Sequence, residues 1–279
     1  MSDAIAQQLK RLERILGDLS NQVELERTKT FSLMEAVINR FDLSVVDAKS
    51  EFAGIAPIER MSGKTDFTAL AFSSLAQALS MPVSEFFGMS SRSGQTTYFI
   101  KDHTQAWYQR GLLGLSQNIP STVDVLTRLT AQSAHDIRCF GASAGGFAAI
   151  LFGNLLKARK VVAFSPQTIL NQQTIDRFRS QDTRIADVLK GQYLDLVPLL
   201  EHNETCEIHI HYGAGQTDDV AAAERLRGLP NVTLHAHDFA GHNIGLWLRN
   251  TRQLDAALAP IFKDPAQSPD ALAPPLSHA

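Results

Sequence analysis

The stretch Ile137-Arg-Cys-Phe-Gly141-Ala-Ser143-Ala-Gly145-Gly146, continued by FAAILFGNLL over 147 to 156, decides how this chain is read. The first residues form a short strand-like run, and the continuation is long and apolar enough for a buried helix. Between them a serine stands among Gly141, Ala142, Ala144, Gly145 and Gly146. A serine at a sharp strand-to-helix turn adopts a strained backbone, tolerated only where its neighbours are small. Glycines two before and two after it let strand and helix approach closely. The hydroxyl is then presented above the sheet, at a helix N-terminus whose N–H groups and dipole favour a developing oxyanion. Ser143 is therefore expected to be a nucleophile, with Ala144 N–H as one oxyanion donor.

A serine nucleophile needs a base and a carboxylate to orient that base, and in this arrangement they follow in the order acid, then histidine. After the run EIHIHY comes Gly213-Ala-Gly-Gln-Thr-Asp218-Asp219, then a helical pattern from about Val220. Asp219 is the expected acid, although its place before a helix also suits an N-cap. Asp218 is the alternative. Farther on, Asp238-Phe-Ala-Gly241-His242-Asn243 leads into an amphipathic run, and His242 in that tight turn is the expected general base. His209, His211, His235 and His237 alternate along strand patterns instead and read as structural or exposed. His209 and His211 share one strand face, yet no cysteine or carboxylate lies at ligand spacing, so neither a metal nor another cofactor is expected.

Working outward, strand patterns at Phe67 to Phe72, Thr96 to Ile100, Ile137 to Phe140, Val161 to Phe164, Ile208 to Tyr212 and Val232 to Ala236 alternate with helical ones. Helices are expected at Thr122 to Leu129, Gly145 to Leu156, Val220 to Leu226 and Ile244 to Leu258. That alternation predicts an α/β fold with a mainly parallel sheet over residues 43 to 263. Residues 166 to 205 fall between two strands and carry helical spacing, which fits a small cap. Residues 264 to 279, DPAQSPDALAPPLSHA, are too proline-rich and polar to form a core and are expected to be disordered.

Residues 1 to 42 are different. Ile5, Leu9, Leu12, Leu16, Leu19 and Val23 recur at alternating spacings of four and three, the a/d seam of a coiled coil. The segment is expected to make the protein a homo-oligomer; the other reading is that its stripe docks on its own domain. A second run, Phe31, Met34, Ile38 and Phe41, is shifted in phase and is expected to pack on the following domain.

Composition narrows the partners. With 44% hydrophobic and 20% charged residues among 279, the chain can bury a large core. A net charge of −3 gives no general attraction for nucleic acid or an anionic membrane. No run reaches the ~18 apolar residues that span a bilayer. The start lacks a secretory signal, and two cysteines in apolar runs suit a reducing compartment, so a cytoplasmic location is expected.

The series GASAGG, GAGQTDD and AGHN before a final helix resembles the α/β-hydrolase superfamily over roughly residues 65 to 260. The resemblance implies Ser143, Asp219 and His242 as nucleophile, acid and base. It also implies a second oxyanion donor in the loop that begins Phe72-Ser73-Ser74-Leu75, where Ser74 or Leu75 N–H is the candidate. The resemblance implies hydrolysis of a carboxylic ester through an acyl-enzyme, with acyltransferase and thioesterase as alternatives. A non-catalytic oligomeric scaffold on the same fold is the alternative of another class. The segment Asp102-His-Thr-Gln-Ala-Trp107-Tyr108 has a D-x-x-x-x-W-Y pattern similar to one in hydrolase-like proteins linked to bacterial surface polysaccharide. By that likeness Trp107 and Tyr108 line a substrate loop and the substrate is a small-molecule or glycan ester. Their other reading is an aromatic pair closing the core.

Overall fold

The computed structural model describes residues 2–65, 67–131, 136–179 and 188–263. Its centre is an eight-stranded sheet in the order β1-β2-β4-β3-β5-β6-β7-β8. The strands are β1 (Val45–Asp47), β2 (Ile58–Met61), β3 (Thr68–Phe72), β4 (Thr96–Ile100), β5 (Ile137–Ala142), β6 (Lys160–Phe164), β7 (Glu207–Gly213) and β8 (Val232–His237). From β4 to β8 every pairing is parallel, and β2 runs antiparallel to β4.

The six strands expected from sequence are all present, with ends shifted by up to two residues. Their period of two explains the layers. Leu70, Phe72, Cys139, Val161 and Ala163 belong to a core on one face, while Ala69, Ala71, Phe140, Val162 and Phe164 belong to a second core on the other. Strands buried on both faces read as continuous apolar runs, which is why the sequence announced them. The short strands β1 and β2, at the sheet margin, carry no such run.

The helices are α1 (Ser2–Phe41), α2 (Val83–Ser93), α3 (Ile119–Thr130), α4 (Ala144–Leu155), α5 (Gln172–Arg179), α6 (Val197–Leu200), α7 (Thr217–Glu224), α8 (Ile244–Asn250), α9 (Leu254–Ala257) and α10 (Ala259–Phe262). The last expected helix is thus broken, because Arg252 adopts a φ of 60° between α8 and α9. α2 was not foreseen, although Pro82 precedes it and Gly94, at φ 75°, closes it by donating to Ser90 O. In α1 the shifted second run divides: Ile38 is fully buried, Phe31 and Met34 are half-buried, and Phe41 is exposed. Every described side chain from Gln7 to Val23 is exposed, the seam residues Leu12, Leu16, Leu19 and Val23 included. No described helix is long and apolar enough to cross a membrane. The proline-rich segment 264 to 279 lies outside the described residues, as do 180 to 187 of the expected cap.

Candidate active site

All the chemistry-bearing loops leave the C-terminal ends of neighbouring parallel strands, so they meet along one edge of the sheet. At the end of β5, Ser143 has φ 54° and ψ −119°, a conformation costly for a side-chain-bearing residue. The turn closes only because of its glycines. A Cβ on Gly141 would lie 2.0 Å from Gly145 O, and one on Gly145 would lie 2.1 Å from Phe72 O. The turn is further held by Ser143 N–H donating to Phe164 O at 2.8 Å.

The acid and base loops are laced to each other. Ala214 N–H donates to His237 O at 2.8 Å and Gly215 N–H to Phe239 O at 3.0 Å. That lacing brings Asp219, buried in the first turn of α7, against His242 in the turn before α8. Asp219 Oδ1 and Oδ2 lie 2.8 and 3.0 Å from His242 Nδ1. His242 Nε2 lies 2.9 Å from Ser143 Oγ. A carboxylate can only accept, so the imidazole proton belongs on Nδ1, leaving Nε2 to accept from the serine hydroxyl. Asn243 fixes the start of α8 by accepting from Leu246 N–H at 3.2 Å. The His242 side chain is 34% exposed, so a substrate can reach it.

Asp218 takes no part in this line. It is exposed and forms an ion pair with Arg177 of α5. Ala144 stands at the first position of α4, where an N–H has no partner within its helix. Ser74 needs correction as an oxyanion donor, since its N–H already donates to Ala78 O at 2.8 Å. Leu75, the other candidate in that loop, remains.

Trp107 and Tyr108 also need correction. Both are fully buried, so neither offers a surface to a substrate. The Asp102 carboxylate explains the D-x-x-x-x-W-Y spacing. It accepts from Thr104 Oγ1 at 2.6 Å, Ala106 N–H at 2.6 Å and Tyr108 N–H at 2.9 Å. In this way it folds the loop through left-handed conformations at Gln105, Trp107 and Tyr108, with φ of 54°, 50° and 63°. Tyr108 Oη donates to Ile100 O at 2.9 Å, and burial raises its phenol well above the ordinary value.

One residue the sequence did not point to stands beside Ser143. Gln167, three residues beyond the end of β6, donates from Nε2 to Ser143 Oγ at 3.1 Å. A polar side chain following a central strand at its C-terminal end was the available signal. Beside Gln167 and Asp219 opens a cleft of about 540 Å³, lined also by Thr168, Asn171, Thr174, Arg177 and Arg225.

The four strand histidines pair across β7 and β8. His209 Nδ1 lies 3.1 Å from His235 Nε2, and His211 Nδ1 lies 3.0 Å from His237 Nε2. Rings of His211 and His235 stack at 4.4 Å. Among the described residues no group of three His, Cys, Asp or Glu side chains could hold a metal ion.

The strand order, with β1 and β2 reversed at one margin, and the site at the C-terminal edge are those of an α/β-hydrolase fold. Solved structures with similar folds bear this out. A capsule O-acetyltransferase of Neisseria meningitidis serogroup A superposes with a TM-score of 0.53 at 17% identity, covering 72% of this chain and 89% of that one. MenH from S. aureus gives 0.50 at 13% identity over 73% of this chain and 98% of that one. An α/β-hydrolase enzyme from a sediment metagenome of the Mar Chica lagoon, Morocco, gives 0.50 at 13% identity over 71% and 94%. No family model and no curated protein matches the chain. The chain has the α/β-hydrolase fold.

Proposed function

We propose that the protein is a serine-dependent acyl-transferring enzyme that hydrolyses a carboxylic ester through an acyl-enzyme. The observation that carries this reading is the unbroken hydrogen-bonded line Asp219–His242–Ser143. His242 takes the proton from Ser143 as the oxygen attacks the ester carbonyl. Asp219 keeps the imidazole in the productive tautomer and stabilises the imidazolium. Ala144 N–H stabilises the oxyanion, a contribution of about 3 kcal/mol per donor in comparable sites. His242 then protonates the leaving alcohol, and water releases the acyl group by the reverse sequence. Labelling with a fluorophosphonate probe, followed by intact mass, tests the reading. Wild type takes up one probe molecule, while Ser143→Ala and His242→Ala take up none. An unlabelled, folded wild type overturns it.

The cleft beside Asp219 favours a second reading of the acceptor. Its amide, hydroxyl and guanidinium groups suit a polyhydroxylated ligand better than a long acyl chain. Transfer of the acyl group to a sugar hydroxyl fits that lining, and the Neisseria structure is named a capsule O-acetyltransferase. Acyl-enzyme made with p-nitrophenyl acetate distinguishes the two: a transferase hands the acetyl group to added oligosaccharide faster than to water.

We also propose that α1 pairs with a second copy of itself. A helix of 40 residues that leaves Leu12, Leu16, Leu19 and Val23 uncovered gains little from its own domain along that half. Isolated helices of modest length are marginal in water, and an a/d seam buried by its twin supplies the missing stabilisation.

A further inference from the structure

We infer that Gln167 is a catalytic residue of this site and that Trp107 is the positioning residue that aims it. The inference rests on the reading of Ser143 as nucleophile. A glutamine amide has a donor end and an acceptor end, and its orientation decides what it does to the serine. Here the choice is forced from behind. Trp107 Nε1–H lies 3.0 Å from Gln167 Oε1, and an indole nitrogen can only donate. The carbonyl end must therefore face the tryptophan, and the NH2 end faces Ser143 Oγ at 3.1 Å.

The consequence follows from the lone pairs of one hydroxyl. Ser143 Oγ accepts from Gln167, so its own proton is directed to His242 Nε2 at 2.9 Å. When Ser143 attacks, the new Oγ–C bond forms, the hydroxyl proton passes to His242, and the carbonyl π pair moves onto the carbonyl oxygen. That oxygen is bonded to the same carbon as Oγ, within reach of the Gln167 amide, whose N–H then donates to the new negative charge together with Ala144 N–H. Collapse returns the pair to the carbonyl and expels the alkoxide, which takes the proton from His242.

Everything around Gln167 is built to keep that amide still. Pro166 before it packs on the nucleophile turn, where a Cβ on Gly146 would stand 3.0 Å from Pro166 Cβ. Trp107 is fully buried and held in a left-handed conformation by the Asp102 carboxylate two bonds of the network away. Strain of this kind persists where the surroundings over-determine it, and here it delivers one N–H to one amide oxygen. The D-x-x-x-x-W-Y segment thus acts on catalysis from inside the core.

The test is the rate of fluorophosphonate labelling as a function of probe concentration and pH, for wild type, Gln167→Ala, Gln167→Glu, Trp107→Phe and the Trp107→Phe/Gln167→Ala pair. Gln167→Ala lowers the maximal labelling rate at least tenfold and leaves the half-saturating probe concentration within threefold. Trp107→Phe keeps an aromatic ring and loses the N–H, and lowers the maximal rate several-fold in wild type with no further loss in the Gln167→Ala background. Gln167→Glu places a carboxylate one hydroxyl away from the imidazole, which favours the imidazolium, so the acid limb of the labelling profile moves up by about one pH unit. A folded Gln167→Ala that labels within twofold of wild type overturns the inference, as does additive loss in the double variant. Absence of labelling in wild type overturns the nucleophile reading and the inference with it. A labelled wild type with an unchanged Gln167→Ala overturns the inference alone.

Discussion

Single atoms decide the site. Asp218 and Asp219 are adjacent in sequence, yet a helix turns successive side chains by about 100°, so only one can face His242. Asp219 does so, while Asp218 points to Arg177. Asp219→Asn is therefore expected to cut the probe-labelling rate by about 10³-fold or more, because the amide permits the wrong tautomer. Asp218→Asn is expected to stay within about threefold, and stopped-flow or gel-based labelling kinetics measure both. The turn around Ser143 makes an equally local demand. Gly145→Ala would drive a methyl group onto Phe72 O, and with no room to shift it should cost about 3 kcal/mol in urea unfolding. Both glycines were legible beforehand, because a strained turn between two packed elements restricts which residues fit. Gln167 was marked only by its place after a central strand, because its hydrogen-bond partner is a tryptophan 60 residues earlier.

At the scale of elements, the sheet and the N-terminal helix behave differently. The central strands were visible as apolar runs because both their faces are buried. α2 and the marginal strands were not, since their environment comes from neighbours and not from their own pattern. The helix α1 was legible by its heptads alone. Replacing three seam residues together, Leu12→Glu, Leu16→Glu and Leu19→Glu, is expected to convert the assembly to a single subunit by light scattering while probe labelling stays unchanged. A monomeric wild type would defeat the pairing. The strand pair β7–β8 supplies a further expectation through its imidazoles. Burial, aided by neighbouring histidines, pushes His211 down to about 2, and burial holds His235 and His237 below their ordinary value. Unfolded, each titrates near 6.5. Below that pH the unfolded chain binds protons that the folded chain refuses, so stability is complete above about pH 6.5 and falls as the pH drops toward the folded values. Calorimetry between pH 7.5 and 5.5 should show a falling Tm, and His211→Gln should flatten the slope.

For the whole molecule, the site is a product of topology. Ser143 and His242 stand 99 residues apart in sequence and 2.9 Å apart in space, because β5 and β8 are separated in the sheet only by β6 and β7. Parallel strands place all their C-terminal loops on one edge, which brings Ser143, Asp219 and His242 together in their order along the chain. Legible in the chain alone were the fold class, the small-residue turn around Ser143, His242 and the adjacent aspartates, since each depends on local backbone demands or on hydrophobic period. Only the tertiary structure chose Asp219 over Asp218, withdrew Ser74 as a donor, took Trp107 and Tyr108 into the core and set Gln167 against the serine. Those outcomes depend on which polar group lies across a packed interface from which other one. Such partnerships form between elements distant in the chain, and no spacing within one segment encodes them.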